Sequence, residues 1–204
     1  MGQVAIAILA AGRGSRFGGN FPKPLAMFRG RSLVSYALKA ADDSGLAPIL
    51  LVVGYNSQQV AAVALPGVSI VHNLQWQSGI ASSLKQALWM LEPNKSIDAL
   101  CIGLADQPFV TAACYRRLVA AYHEGASFVV ATYEGSRRNP VLLARSLWFD
   151  AMKLEGDEGA RQLMRVYPVA EVSCDRIGNP HDIDTKDDLQ QLETEVVSKH
   201  RTEG

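Results

Sequence analysis

Five short apolar runs, four of them followed by a longer amphipathic stretch, fill residues 4–132 and narrow the fold to a few options. A strand covered by helices on both faces reads as a continuous apolar run, and a helical return brings the next strand in parallel. Strands are predicted over residues 4–9, 49–53, 68–72, 99–104 and 128–132, with helices over 32–43, 57–64, 80–91 and 111–123. In 80–91, Ile80, Leu84, Ala87, Leu88 and Leu91 keep helical spacing, so one face is buried while Lys85 and Gln86 point outward. The rhythm changes near residue 133. There the reading is a polar turn over 135–140, a short strand over 141–143, helices over 146–153 and from Gly156 to Val166, a strand over 170–173 and a final helix after Thr185.

With 204 residues the chain suits a single domain over 1–196: a first part (1–132), an elaboration that completes a pocket on the sheet (133–180) and a return with the last helix (181–196). Residues 197–204 read as a frayed tail. The 20 basic and 20 acidic residues cancel, so no global field draws the chain to nucleic acid or to a membrane. No apolar run approaches a membrane span. Cys101, Cys114 and Cys174 form no CxxC pair, which points to reduced thiols, and the first residues lack a signal-peptide pattern. Met1-Gly2 is followed by Ile6, where myristoylation needs Ser or Thr. A cytoplasmic protein is expected.

The first apolar run empties into LAAGRGSRFG (9–18), and Pro22-Lys23-Pro24 follows. Gly12 and Gly14 let successive amides turn toward one oxyanion, while Arg13, Arg16 and Lys23 supply fixed positive charge. Two familiar phosphate loops are excluded. No lysine directly follows a glycine, as a Walker loop requires, and the third glycine of the dinucleotide fingerprint would fall on Phe17. The acid that should end the second strand is also missing, because that run closes in Gly54-Tyr55. A free nucleotide is the expected ligand, although an ordinary strand-to-helix turn with surface arginines has the same composition.

Leu104-Ala105-Asp106-Gln107-Pro108 closes the central apolar run, at the end of the sheet where open α/β folds bind ligands. A carboxylate there suits Mg²⁺ on a triphosphate, or else caps the next helix, for which Thr111 is the better candidate. A second acid is expected from HDIDT (181–185), Asp182 or Asp184. Thr185 with Asp188 reads as a capping box.

In order, LAAGRGSRFG with Lys23, Asn73-x-x-Trp76-x-x-Gly79-x-x-Ser82-Ser83, Asp106-Gln107-Pro108, GDEGAR (156–161) and DIDT (182–185) resemble the molybdenum cofactor nucleotidyltransferases, and most closely their cytidylyltransferase branch. The resemblance implies a Rossmann-like three-layer α/β sandwich with a mostly parallel sheet, of the nucleotide-diphospho-sugar transferase type. It implies that Leu9, Ala10, Ala11, Gly12, Gly14, Arg16 and Lys23 bind the nucleotide, Gly12, Gly14, Arg16 and Lys23 holding its triphosphate, with Arg16, Lys23 and Asp106 catalytic. Asp106 and Asp184 would bind Mg²⁺, and Asn73, Gly79, Ser82 and Ser83 would face base and ribose. Helix capping is an equal use for Ser82, and Trp76 is either a lid or a core aromatic. Ala11 in LAAG, where the guanylyl relatives resemble LAGG, and the GDEGAR segment both point to cytidine. Arg138-Asn139-Pro140 and Lys23-Pro24-Leu25 depart from that branch, where Gly-x-Pro and Lys-Leu are usual.

The expected reaction is transfer of CMP from CTP to the molybdopterin cofactor with release of pyrophosphate, by positioning and charge neutralisation. Arg137, Arg138, Asp157 and Arg161 are candidates for the acceptor, unless Glu158 simply pairs with Arg161 on one helix. A molybdenum hydroxylase or its chaperone is the expected client. The alternatives are a transferase using GTP or another phosphorylated acceptor, a nicotinamide or flavin reductase on the same scaffold, and a non-catalytic molybdenum cofactor carrier.

Overall fold

The computed structural model describes residues 2–18 and 21–192; the expected tail lies outside them. In chain order the strands are β1 (Gln3–Ala10), β2 (Met27–Phe28), β3 (Arg31–Ser32), β4 (Ile49–Val53), β5 (Ser69–His72), β6 (Ile97–Leu104), β7 (Phe128–Tyr133), β8 (Ser136–Ala144) and β9 (Ala170–Ser173). The helices are α1 (Leu33–Asp43), α2 (Ser57–Ala61), α3 (Ile80–Leu91), α4 (Ala112–His123) and α5 (Trp148–Ala151). Residues 186–192 are also helical.

Seven strands form one sheet in the order β5-β4-β1-β6-β8-β7-β9, and β2 pairs with β3 apart from it. β1 lies parallel to both β4 and β6, as the βα rhythm predicts. Its alternate residues feed two cores: Ala5, Ala7 and Leu9 pack with α3 and α5, whereas Val4, Ile6, Ile8 and Ala10 pack with α1 and α4. That double burial is why the run has no polar alternation. A third cluster joins Phe17, Ala26, Phe28 and Leu33 to Ile183, so the phosphate-loop region and the return segment share a core.

The expected turn over 135–140 is corrected. Glu134 and Gly135, both at positive φ, reverse the chain in two residues, so Ser136 already pairs with Tyr133. Polar residues that read as loop therefore belong to a strand, as a tight hairpin allows. β8 inserts antiparallel between β6 and β7, which makes the sheet mixed. The segment expected to be helical after Gly156 is a 3-10 helix over Gly159–Arg165. All three cysteines are free and buried. No helix among the described residues is long and apolar enough to cross a membrane.

Candidate active site

The carboxyl ends of β1, β4 and β6 meet at one edge, where backbone bonds fasten the loops together. Ala105 N–H donates to Leu9 O at 3.1 Å, Tyr55 N–H to Ala11 O at 2.9 Å, and Asn73 N–H to Val53 O at 2.7 Å. Leu9, Ala10 and Ala11 are themselves buried, so what they offer a ligand is backbone. Gly14 turns the loop at φ 64°. A Cβ there would lie 2.4 Å from Lys23 Cβ, so both its conformation and the nearness of Lys23 require glycine.

Lys23 begins a 3-10 turn over Lys23–Leu25, flanked by Pro22 and Pro24, and its side chain is only 9% exposed. Its ammonium donates to Asp106 Oδ2 at 2.7 Å and to Asp184 Oδ1 at 2.5 Å. Arg16, far more exposed, reaches Asp184 Oδ2 at 3.4 Å. Burial alone pushes the Lys23 pKa down, but the fields and hydrogen bonds of Asp106 and Asp184 together outweigh it and raise the pKa.

Asp182 and Asp184 have different neighbours. The Asp182 carboxylate accepts from Gln107 Nε2 at 2.7 Å, and its pKa is raised by burial first and then by the charge of Asp106. Asp184 faces Lys23 and Arg16. Ile183, between them, is fully buried and donates its N–H to Asp106 O at 3.0 Å. The Thr185–Asp188 capping box forms as expected, at 2.8 and 3.1 Å. Thr111 holds the N-cap position of α4 but spends its hydroxyl on Ile177 O. Gln107 was not among the candidate residues. It is buried and ties the β6 loop to the return segment, and its place beside Asp106 was the available signal.

Two carboxylates from different loops form a donor set suited to a hydrated divalent cation that also takes phosphate oxygens. Asp106 Oδ1 is buried without a hydrogen-bond partner, a further mark of room for a positive or donor group. No cluster of three or more His, Cys, Asp or Glu side chains capable of holding a metal occurs among the described residues.

The segment expected to face the base is largely turned inward. Asn73 donates its amide to Ser82 Oγ at 2.8 Å and Ser83 Oγ at 3.0 Å, and Ser82 Oγ donates to Gly79 O at 2.7 Å. All three side chains are buried, so a ligand here meets backbone and neighbouring rings. Trp76 is partly buried, edge-on to Tyr55 with centroids 5.5 Å apart, and Arg13 lies 5.6 Å above the Tyr55 ring. Tyr55, absent from the expected set, follows Gly54, where a Cβ would meet Trp76 at 2.6 Å.

Beyond α3 opens a cavity of about 470 Å³, with an apolar floor that includes Leu84, Ile102 and Met164 and a rim that includes Arg138, Asp157 and Arg161. Arg137 pairs with Glu171 at 2.7 Å. Glu158 pairs with Arg165 at 2.8 Å, not with Arg161. Among the described residues, Arg138 and Arg161 have no ion-pair partner. Both also line a polar cavity of about 780 Å³ that contains Asp182 and Asp184.

A phosphate-type loop, paired acids and a cation-rimmed cavity at the carboxyl edge of an α/β sheet define a nucleotidyltransferase-type enzyme. The chain belongs to the MobA-like NTP transferase domain family, whose model matches residues 6–173. Rv0371c from Mycobacterium tuberculosis H37Rv has a similar structure, with TM-score 0.80, 29% identity and coverage of 94% of this chain and 97% of that one. It has also been solved as a manganese complex, with TM-score 0.75. A nicotine blue oxidoreductase of Paenarthrobacter nicotinovorans is 30% identical over 197 residues, 91% of this chain and 94% of that protein. A bifunctional protein GlmU of Burkholderia vietnamiensis is 36% identical over 121 residues, 59% of this chain but 26% of that protein.

These relatives overturn the expectation of a CTP-specific molybdopterin transferase with a molybdenum hydroxylase as client. They tie the chain to MobA-type and other nucleotidyltransferases, and nothing in them singles out CTP or points to contact with a hydroxylase or chaperone. The physical reason lies in the two features that favoured cytidine. Ala11, just past β1, is buried, and Gly156 accepts a hydrogen bond from Ala81 N–H at 3.1 Å, so these two positions serve packing and carry no polar side chain to read a base.

Proposed function

We propose that this chain is a divalent-metal-dependent nucleotidyltransferase that moves a nucleoside monophosphate from GTP, or another nucleoside triphosphate, to a phosphorylated acceptor. The observation that carries the reading is the buried Lys23 ammonium between Asp106 and Asp184, beside a glycine-rich loop. An oxygen of the acceptor phosphate attacks the α-phosphorus, and the bond to the leaving pyrophosphate breaks. The nucleophile is already anionic, so no side chain has to remove a proton. Lys23 and Arg16 neutralise the charge that grows on pyrophosphate, and Arg138 with Arg161 holds the acceptor phosphate. Asp106 and Asp184 would hold Mg²⁺ or Mn²⁺, which supplies Lewis-acid polarisation of phosphoryl oxygens. The manganese complex of Rv0371c supports a divalent ion in this family.

The test is pyrophosphate release with Mg²⁺ or Mn²⁺, each of the four nucleoside triphosphates, and an acceptor panel of molybdopterin, a sugar 1-phosphate and a polyol phosphate. GTP comes first because MobA-type enzymes use it. Release dependent on one acceptor and lost in Asp106→Asn is expected; no release with any pair refutes the proposal. A second reading, a reductase on this scaffold, has one observation behind it: the near-full-length relative from Paenarthrobacter is named an oxidoreductase. Consumption of NADH or NADPH with no nucleoside triphosphate present would favour it, and the broken dinucleotide fingerprint counts against it.

A further inference from the structure

Three of the four carboxylate oxygens of Asp106 and Asp184 are engaged by side-chain cations, and the fourth is unpartnered. Lys23 Nζ takes Asp106 Oδ2 and Asp184 Oδ1, Arg16 takes Asp184 Oδ2, and Asp106 Oδ1 is buried away from solvent. A Mg²⁺ ion held by both carboxylates would need to lie about 2.0–2.1 Å from an oxygen of each. Lys23 Nζ, 2.5 and 2.7 Å from the two inner oxygens, stands in that volume. The ammonium and the metal therefore exclude one another there.

We infer that Lys23 is a resident stand-in cation that keeps the metal site closed until a triphosphate draws it away, so that polyphosphate and metal bind with positive coupling. This rests on the proposed function, which assigns the metal to Asp106 and Asp184. Three observations support it independently of any relative. Lys23 is held by two carboxylates while almost wholly buried, so a compact anion of higher charge is the ligand able to compete for it. Arg16, on the same glycine-rich loop, is the exposed partner that a triphosphate meets first. The described residues offer no set of three or more metal-binding side chains, so the shell of an ion on Asp106 and Asp184 keeps places for water and for phosphate oxygens. By reciprocity, whatever factor the polyphosphate adds to metal affinity, the metal adds to polyphosphate affinity.

The experiment is Mn²⁺ titration, read by electron paramagnetic resonance without nucleotide, on the wild-type chain, Lys23→Met and Lys23→Met/Asp106→Asn. Lys23→Met should bind Mn²⁺ about tenfold or more tightly than wild type, within the usual range of coupling, although it is inactive in transfer. A second arm measures tripolyphosphate binding by calorimetry in EDTA. Asp184→Asn, which loosens the hold on Lys23 and Arg16, should bind tripolyphosphate several-fold more tightly than wild type. That arm stands if Lys23→Met fails to fold, as judged by circular dichroism. Equal or weaker Mn²⁺ binding by folded Lys23→Met, or unchanged tripolyphosphate binding by Asp184→Asn, overturns the stand-in role. If the added Asp106→Asn leaves Mn²⁺ binding intact, the metal is elsewhere, and the metal assignment in the proposed function fails with it.

Discussion

Lys23 Nζ lies 2.7 Å from Asp106 Oδ2 across 83 positions of sequence, and this ion pair ties the Lys23–Leu25 turn to the loop that ends the central strand. Lys23 would be a costly buried charge without its carboxylate partners. In the proposed transfer, Lys23 would face the leaving pyrophosphate. Lys23→Ala is expected to lower the rate of pyrophosphate release roughly a hundredfold or more, from the ~2.7–4 kcal/mol that such a contact commonly supplies. Near-normal turnover in a folded Lys23→Ala protein would remove it from the reaction.

The raised Lys23 pKa sets a pH dependence with a definite sign. A lysine whose pKa is higher folded than unfolded adds stability that is fully present below the unfolded value, about 10.4, and is lost as pH rises through the folded value. In EDTA, the stability difference between wild type and Lys23→Met should therefore stay level from about pH 6 to 9 and shrink only above about pH 10.4. Denaturant melts at each pH measure it. A difference that collapses near pH 8 would show that the acids do not hold the ammonium.

The arginines on the rim of the cavity should separate into two kinds. Arg138 and Arg161 have no ion-pair partner among the described residues, so alanine at either is expected to raise the acceptor KM by roughly ten- to a hundredfold, the worth of one charge-assisted hydrogen bond. Arg137 is engaged with Glu171 at the surface, and Arg137→Ala should change the KM by no more than a few-fold. Steady-state kinetics at saturating nucleotide give the comparison. Equal losses at all three positions would contradict the geometry.

Asn73 is expected to be a stability residue. Its amide is the partner of two buried hydroxyls, so Asn73→Ala should cost about 1–3 kcal/mol and lower Tm by several degrees. Thermal unfolding measures this directly. An unchanged Tm with a raised nucleotide KM would instead assign Asn73 to ligand contact.

Local signals were legible wherever neighbouring residues decide the structure. The runs at Ile49–Val53 and Ala170–Ser173, and the helical spacing of Ile80–Leu91, mark elements whose ends agree with the structure, because burial period and flanking turns are encoded within each segment. The helix over 57–64 is shorter in the structure, ending at Ala61. The first half of β8 reads as a turn because Arg137, Arg138 and Asn139 are polar, and only the two-residue reversal at Glu134–Gly135 makes Arg137 and Arg138 pair with β7.

By itself the sequence determined the alternating α/β layers, the glycine-rich loop with its cations, and the acids available to face them. Helical and strand periods, caps and residue chemistry act over a few positions and need no knowledge of the rest of the chain. Only the tertiary structure decided that Asp184 and not Asp182 meets Lys23, that Glu158 goes to Arg165 and not to Arg161, and that Asn73 is turned inward. Those pairings join side chains as far as 161 positions apart. Strand order, sheet register and the shared burial of Ile183 with Phe17 and Phe28 bring them together, and these emerge from cooperative packing of the whole chain.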